Sequence, residues 1–349
     1  MPAVGDGGAA FAAFLAEKRP LIEAFIGSHM PAPLAEELTS GDLDRYLYAP
    51  LARFTASGGK RTRPALCLLG CEAVGGDGER ALSSAAAIED FQSAALIHDD
   101  IADESELRRG KPCVYRSEGT GVAINVGDLA LVTVTAKVLR DGTLEPSVRL
   151  RVLGELVSME ERTLEGQALD LGWARDGRWD VSTSDYLCMA SHKTAFYSAA
   201  TPLSVGAICG GGTDEQIDAL GSFGMDAGLA FQLQDDLLNL VGDATSQGKD
   251  FRSDITEGKR TMVVTWAIEH LSGVEKDELV SILSSHATDP ATLERGVELM
   301  ETSGAIDAVR EYARSLARSA KDGLSGIELA GDTRRVLESM ADFFVERTD

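Results

Sequence analysis

FQSAALIHDDIADES, residues 91–105, is the stretch that decides how this chain is read. An apolar run from Phe91 to Ile97 ends in Asp99-Asp100, with Asp103 one turn further on. A second stretch, GLAFQLQDDLLN at 228–239, repeats the arrangement with Asp235-Asp236 and Asn239. The chain has 56 acidic residues, yet these are its only adjacent aspartate pairs, so overall acidity does not account for the match. On a helix Asp99 and Asp103 share a face at i and i+4, as do Asp235 and Asn239. The second aspartate of each pair is turned about 100° away. Carboxylates crowded at the end of a buried helix repel one another and lose hydration, so a cation must compensate. Open clusters of hard oxygen ligands suit Mg²⁺, which keeps several waters and is completed by a substrate phosphate. A solvated acidic face accounts for either cluster alone; two matched clusters after apolar runs favour a metal site.

The rest of the chain sets the body around those clusters. Apolar residues make up 44% of the 349 and aromatics only 6%, so the core is mainly aliphatic. Ala- and Leu-rich segments dominate and alternating Val/Ile/Thr patterns are nearly absent, which gives an all-α fold class. Periodic segments predict helices at roughly 9–28, 34–56, 61–75, 79–103, 119–140, 145–172, 184–210 and 214–242, with shorter ones to 346. No linker or low-complexity block divides the chain, which is expected to form one domain over 1–349. The polar stretch 243–258 directly follows the second aspartate pair and reads as a surface loop or an active-site lid; its position favours the lid.

Formal net charge is −23, with 33 basic residues against 56 acidic, which argues against nucleic-acid or anionic-membrane surfaces. Five cysteines (67, 71, 113, 188, 209) form no disulfide or zinc framework, and Cys67 and Cys71 read as core packing. The N-terminus has no basic n-region of a signal peptide. Segment 120–138 is apolar but interrupted by Asp128 and Lys137, so no transmembrane span is expected. A soluble cytoplasmic protein is the expectation.

Positive charge is scarce and concentrated. GGKRTRP (58–64) places glycines and three cations at a helix start, where cations are unfavourable unless an anion sits there. Backbone N–H groups at Gly59, with Lys60 and Arg63, would cradle a diphosphate. This is not a P-loop, because the GK[ST] ending is missing. Arg108-Arg109-Gly110-Lys111 follows the first acidic cluster, either to bind an anion or simply to balance Asp103, Glu104 and Glu106. Lys193, Thr194 and Gln232 stand on largely apolar helices, and Lys249 and Lys259 flank the lid. Two anion sites in an apolar helical body imply two diphosphate substrates with hydrocarbon tails.

GGKRTRP (58–64), LIHDDIADESELRRGKP (96–112), NVGD (125–128), HKT (192–194), FQLQDD (231–236) and SDITEGKRT (253–261) together resemble the all-trans polyprenyl diphosphate synthases, in the family's order and over nearly the whole chain. The resemblance implies a barrel of mostly antiparallel helices around a central cavity, in a homodimer. It implies Mg²⁺, three ions per site, on Asp99, Asp103 and Asp235. The allylic diphosphate would be held by Arg108, Lys193, Thr194, Gln232, Lys249 and Lys259. Isopentenyl diphosphate would be held by Gly59, Lys60, Arg63, Gln92 and Arg109. Lys193, Thr194 and Gln232 are the residues it places at the chemistry, with Thr194 expected to bond its own helix backbone and kink it. The sequence departs from the family at Asn239, where many members have Asp, and at Gln92, where many have His. Its ending, FFVERTD, lacks the basic tail that some farnesyl synthases use beside isopentenyl diphosphate.

The product tail should run from Asp99 back along its own helix, past Ala95 and Ala94, which are too small to form a floor. Phe91, about 12 Å deeper by helical rise, would stop a chain near C20 if it faces the cavity. If it does not, C30 or longer products follow; C15 is the short alternative. A class I terpene cyclase shares the fold and the DDxxD cluster but needs no second diphosphate site. A non-catalytic regulatory subunit of a prenyl synthase is the non-enzyme alternative.

Overall fold

The structure, a computed structural model, describes residues 6–34, 41–242 and 251–347. Helices run α1 (Ala9–Ser28), α2 (Ala49–Thr55), α3 (Thr62–Ala73) and α4 (Leu82–Ala102). A hairpin of β1 (Leu107–Arg108) and β2 (Lys111–Pro112) precedes α5 (Val114–Glu118), α6 (Thr120–Arg140), α7 (Pro146–Arg175) and α8 (Thr183–Ala190). A π-helical segment, Ser191–Ala200, joins α8 to α9 (Thr201–Gly210), followed by α10 (Asp214–Val241). The remainder is α11 (Ser253–Glu257), α12 (Met262–His270), α13 (Gly273–Ser284), α14 (Pro290–Thr302), α15 (Ala305–Gly323) and α16 (Thr333–Glu346).

The all-helical expectation holds, apart from the two-residue strands of the hairpin. Its turn, Arg109-Gly110, has φ of 53° and 74°, the left-handed pair that a tight two-residue hairpin requires. Strands this short leave no alternating pattern in the sequence. Helix 184–210 is continuous, as expected, but changes pitch midway. Pro202 has no N–H, so the Ser198 carbonyl lacks its i+4 donor. The Thr201 N–H reaches back five residues to Phe196 O.

Small residues set how closely the helices approach. α3 is buried along its length from Pro64 to Cys71 and packs on α9. A Cβ on Gly70 would lie 2.2 Å from Leu203 O, and one on Gly206 1.9 Å from Cys67 O. Neither glycine can carry a side chain without separating the pair. The same device wedges the π segment between α7 and α10. A Cβ on Gly166 would lie 2.3 Å from Lys193 N, and one on Gly224 2.6 Å from Ala200 Cα. Cys67 and Cys71 are buried in this core, as read from their spacing.

Helix α6 corrects one reading. The continuous helix expected at 119–140 is present, and despite Asp128 and Lys137 its 21 residues are long and apolar enough, by length and composition, to cross a membrane. Lys137 turns inward to pair with buried Asp90, and Asp128 lies 3.6 Å from His98. The face through Ala123, Val126, Ala130 and Val134 packs against α4.

Glu160, on α7, is partly buried and its Oε1 has no hydrogen-bond partner. Burial pushes its carboxyl from 4.5 up to about 7. An acid whose pKa is higher folded than unfolded takes up a proton on folding, so stability falls as pH rises from 4.5 through 7. Discounted for partial exposure, the penalty is about 1–2 kcal/mol. Glu160→Gln is therefore expected to melt several degrees above the parent at pH 8 and alongside it at pH 4. Coincident melting curves at pH 8 would contradict this.

Candidate active site

Each aspartate pair is divided between fold and open space. At the end of α4, Asp100 is 1% exposed, and its Oδ1 accepts from Arg108 Nε at 2.9 Å and Nη2 at 2.5 Å. The hairpin turn sets Arg108 in that position. The side chain of Asp99, half-buried, accepts among the described residues only from Gln167 Nε2 of α7, at 2.9 Å. On α10, buried Asp236 accepts from the Tyr186 hydroxyl and from Gln232 Nε2 at 2.8 Å. Burial pushes its carboxyl up to about 7, against the pull of those two hydrogen bonds. Asp235 keeps its side chain 43% exposed and pairs with Arg347. One member of each pair therefore anchors a neighbouring element, and the other faces outward.

Beside them lies a cavity of about 180 Å³ lined by Lys193, Thr194, Gln232, Asp236, Lys259 and Asp170, among others. Gly166 lets the π segment approach α7 closely enough for Lys193 to pair with Asp170. Burial pushes the Asp170 carboxyl up, but Lys193, Lys259 and Arg260 outweigh it and leave it below its ordinary value. Burial likewise works against the Lys259 ammonium, yet Asp170, Asp103, Glu257 and Asp99 together raise its pKa. Asp103 lies 3.8 Å from Lys259; its carboxyl is raised by burial, against the pull of Lys259, with Asp99 adding to the rise. The cations of the cavity and the acids of α4 thus belong to one charge network. Asn239 accepts from the Asp254 N–H at 3.2 Å and donates to Ser253 Oγ at 3.1 Å, tying α10 to the start of α11.

A second cavity, about 290 Å³, collects every residue that the resemblance assigned to isopentenyl diphosphate: Gly59, Lys60, Arg63, Gln92 and Arg109. Gly59 has φ of 147°, and a Cβ there would meet Arg109 Nη2 at 3.2 Å. Arg109 is pinned by donating to Gly58 O and to Ser57 Oγ at 3.2 Å. Arg63 donates to Ser198 Oγ at 2.7 Å and lies over the Tyr197 ring at 4.3 Å. The sequence reading found no basic C-terminal tail; the structure places one arginine there after all. Arg347 lines this cavity, stacks on Phe231 at 4.0 Å and reaches Asp235. Among the described residues, buried Arg63 Nε and Arg347 Nε lack hydrogen-bond partners, as expected of donors kept for an anionic ligand.

Among the described residues no three His, Cys, Asp or Glu side chains converge into a closed metal cage. That fits Mg²⁺, which takes one or two carboxylates and leaves the remaining positions to water and phosphate. Asp99 and Asp103 offer such an open, all-oxygen pair, and Asp103 is short of compensating charge. Lys249 lies outside the described residues, as does 243–250 of the expected lid. The Thr194 hydroxyl makes no hydrogen bond among the described residues, so the pitch change comes with Pro202, not with Thr194 back-bonding. Phe91 is 3% exposed and meets Tyr197 edge-on at 5.7 Å; Ala94 is fully buried and Ala95 half-buried. Sequence reasoning missed Gln167, Asp170, Tyr186, Glu89 and Arg347. Asp170 had a signal: it continues the buried α7 rhythm of 152, 156, 159, 163 and 166, where an apolar residue belongs.

Known proteins carry the same architecture. The chain is 41% identical over 291 residues to the short chain isoprenyl diphosphate synthase of Methanothermobacter thermautotrophicus, covering 83% of this chain and 87% of that one. The crystal structure of geranylgeranyl pyrophosphate synthetase from Pyrococcus horikoshii superposes with a TM-score of 0.87 at 34% identity, over 97% of this chain and 98% of that one. A geranylgeranyl pyrophosphate synthase from Corynebacterium glutamicum, complexed with isoprenyl diphosphate and magnesium, gives 0.83 at 31% identity, over 95% and 98%. The family model described as polyprenyl synthetase matches residues 44–300. With two cation-lined cavities beside split aspartate pairs in an all-α body, the chain belongs to the polyprenyl synthetase family and is a prenyltransferase.

Proposed function

We propose that the protein condenses isopentenyl diphosphate head-to-tail with an allylic diphosphate, giving a trans product of about C20. The observation that carries this is the pair of cation-lined cavities: Lys60, Arg63 and Arg109 in one, Lys193 and Lys259 in the other. A cyclase has no use for the first. Asp99, Asp103 and Asp235 would hold Mg²⁺, three ions per site by resemblance. When bound, Mg²⁺ supplies charge that neutralises the departing diphosphate. Lys193 and Lys259 add fixed positive charge where that diphosphate leaves, which lowers the barrier to the allylic cation. Lys60, Arg63 and Arg109 orient the second substrate, whose double bond attacks the cation; a proton then passes to the released diphosphate. Gln232 donates to Asp236 and so has one face of its amide committed to the fold. Incubation with isopentenyl diphosphate, Mg²⁺ and C5, C10 or C15 allylic primers, followed by product sizing, tests the reading. No condensation, or turnover of geranylgeranyl diphosphate alone, would refute it.

The Phe91–Tyr197 pair, two turns below Asp99, is the floor of the tail cavity in this reading. Phe91→Ala should shift the product from C20 to C25 and beyond; an unchanged product excludes Phe91 as the floor. The protein works as a homodimer, and α7 supplies the reason. Leu150, Val157, Leu164 and Leu171 recur every seven residues and are 73, 45, 66 and 40% exposed. Ile124, Val132 and Leu139 of α6 are exposed as well. Such an apolar stripe at heptad spacing calls for a partner helix. Val157→Glu with Leu164→Glu should convert a dimer to monomers in sedimentation; a monomeric parent would refute the assembly. Free thiols at Cys67, Cys71, Cys188 and Cys209 suit the reducing cytoplasm.

A further inference from the structure

Helix α10 presents Gln232 and Asp236 to one cavity, but its opposite face, through Gln234, Leu238 and Val241, borders a third. This cleft, about 710 Å³, lies between α10, α15 and α16. The α15 wall carries Arg310, Arg314, Arg318 and Lys321 at i, i+4, i+8 and i+11, all on one helix face. Arg347, shared with the second cavity, closes one end of the cleft, and Asp342 and Glu346 are the acidic residues among its described lining. On a chain of net charge −23 this is a marked local reversal. Like charges stacked at i and i+4 cost helix stability, so the row is not a device of the fold. Arg310, Arg318 and Lys321 have rim partners, Asp307 at 2.7 Å, Glu311 at 2.7 Å and Asp342 at 2.6 Å. Solvent-facing pairs of this kind are worth about 0–1 kcal/mol and yield readily to a stronger anion. Arg314 makes no hydrogen bond among the described residues and is attracted by Glu311 only at longer range. Between these cations the floor is apolar, at Leu238, Val241 and Val345.

Guanidinium forks match a diphosphate bidentately, and the apolar floor suits the hydrocarbon attached to it. We infer that this cleft is a prenyl diphosphate site separate from the catalytic cavities, held by arginine and not by metal. The head lies on Arg314 and Arg318, and the tail lies along Leu238, Val241 and Val345. The choice of ligand rests on the proposed synthase reading; the site itself rests on the charge and shape of the cleft.

Two sources offer a diphosphate head: a prenyl diphosphate and the inorganic diphosphate that the reaction releases. Calorimetric titration of the full-length protein in EDTA separates them, since metal bridging is then removed. Geranylgeranyl diphosphate should show a metal-independent binding component that Arg314→Glu with Arg318→Glu weakens about 10-fold or more. Arg314→Lys with Arg318→Lys should retain most of it, which separates charge from any packing change. Inorganic diphosphate should bind at least about 10-fold more weakly than the prenyl compound. Equal binding by the parent and the charge-reversed protein overturns the inference, as does equal binding of the two ligands. None of these readouts uses turnover, and the charge-reversed protein should keep its condensation rate. A failed titration is thus distinguishable from a failed condensation assay.

Discussion

Asp99→Asn is expected to lower kcat by about three orders of magnitude or more while leaving the fold intact. Among the described residues only the Gln167 amide donates to the Asp99 side chain, and an asparagine oxygen can accept that bond equally well. The side chain is only partly buried, so little packing is at stake. What disappears is the negative charge needed to hold a divalent ion against the leaving diphosphate. Losing that stabilisation costs about 4–7 kcal/mol in the barrier. Asp100→Asn, one residue on, should behave differently. Asp100 is sealed behind Arg108, so its loss releases the hairpin and disturbs Arg109 beyond it. The expected signature is a raised KM for isopentenyl diphosphate, a loss of stability and a Mg²⁺ dependence close to the parent's. Steady-state rates across a Mg²⁺ titration decide the matter. An Asp99→Asn enzyme retaining a tenth of parental kcat would remove Asp99 from the metal site.

That division of labour was only half legible in the sequence. The helices were, because long apolar runs with a 3.6-residue period dominate and glycine-containing turns separate them. The acidic pairs and GGKRTRP were, because each is a local anomaly: charge where an apolar helix or a bare helix start should have none. The helical spacing also turned Asp100 and Asp236 away from Asp99 and Asp235; what those second aspartates hold was not legible, since it depends on Arg108 and Tyr186. A two-residue hairpin delivers one and a capping box at Ser182 the other. Arg347 escaped because its importance comes from α16 packing against α10, a contact between residues more than 100 positions apart. Asn239 read only as a departure from the family's Asp; in the structure its amide ties α10 to Ser253 and Asp254.

The largest expected effect on stability lies under the second cavity, at Arg61. Its side chain is 5% exposed, pairs with Glu89, itself 4% exposed, and donates to Thr55 O at 2.7 Å. Arg61→Met removes the one cation that pairs directly with the buried Glu89 carboxylate among the described residues, leaving it only the longer-range attraction of Arg109. Stranding a buried charge in this way costs about 3–5 kcal/mol. Backbone strain does not confound the comparison, because Arg61 and Met would share the same left-handed φ of 53°. Replacing both partners, Arg61→Met with Glu89→Leu, should recover most of the loss, since a buried pair exchanged for apolar groups is close to neutral. Urea unfolding of the parent, the single and the double variant measures all three. A single variant within about 1 kcal/mol of the parent, or a double variant less stable than the single, would show that the pair does not carry this part of the fold. The double variant also separates fold from chemistry. Lys60, Arg63 and Arg109 stay in place without the Arg61–Glu89 pair, so the KM for isopentenyl diphosphate should remain near the parent's value. Were it to rise while stability recovered, Glu89 would be orienting the cavity cations as well as neutralising Arg61.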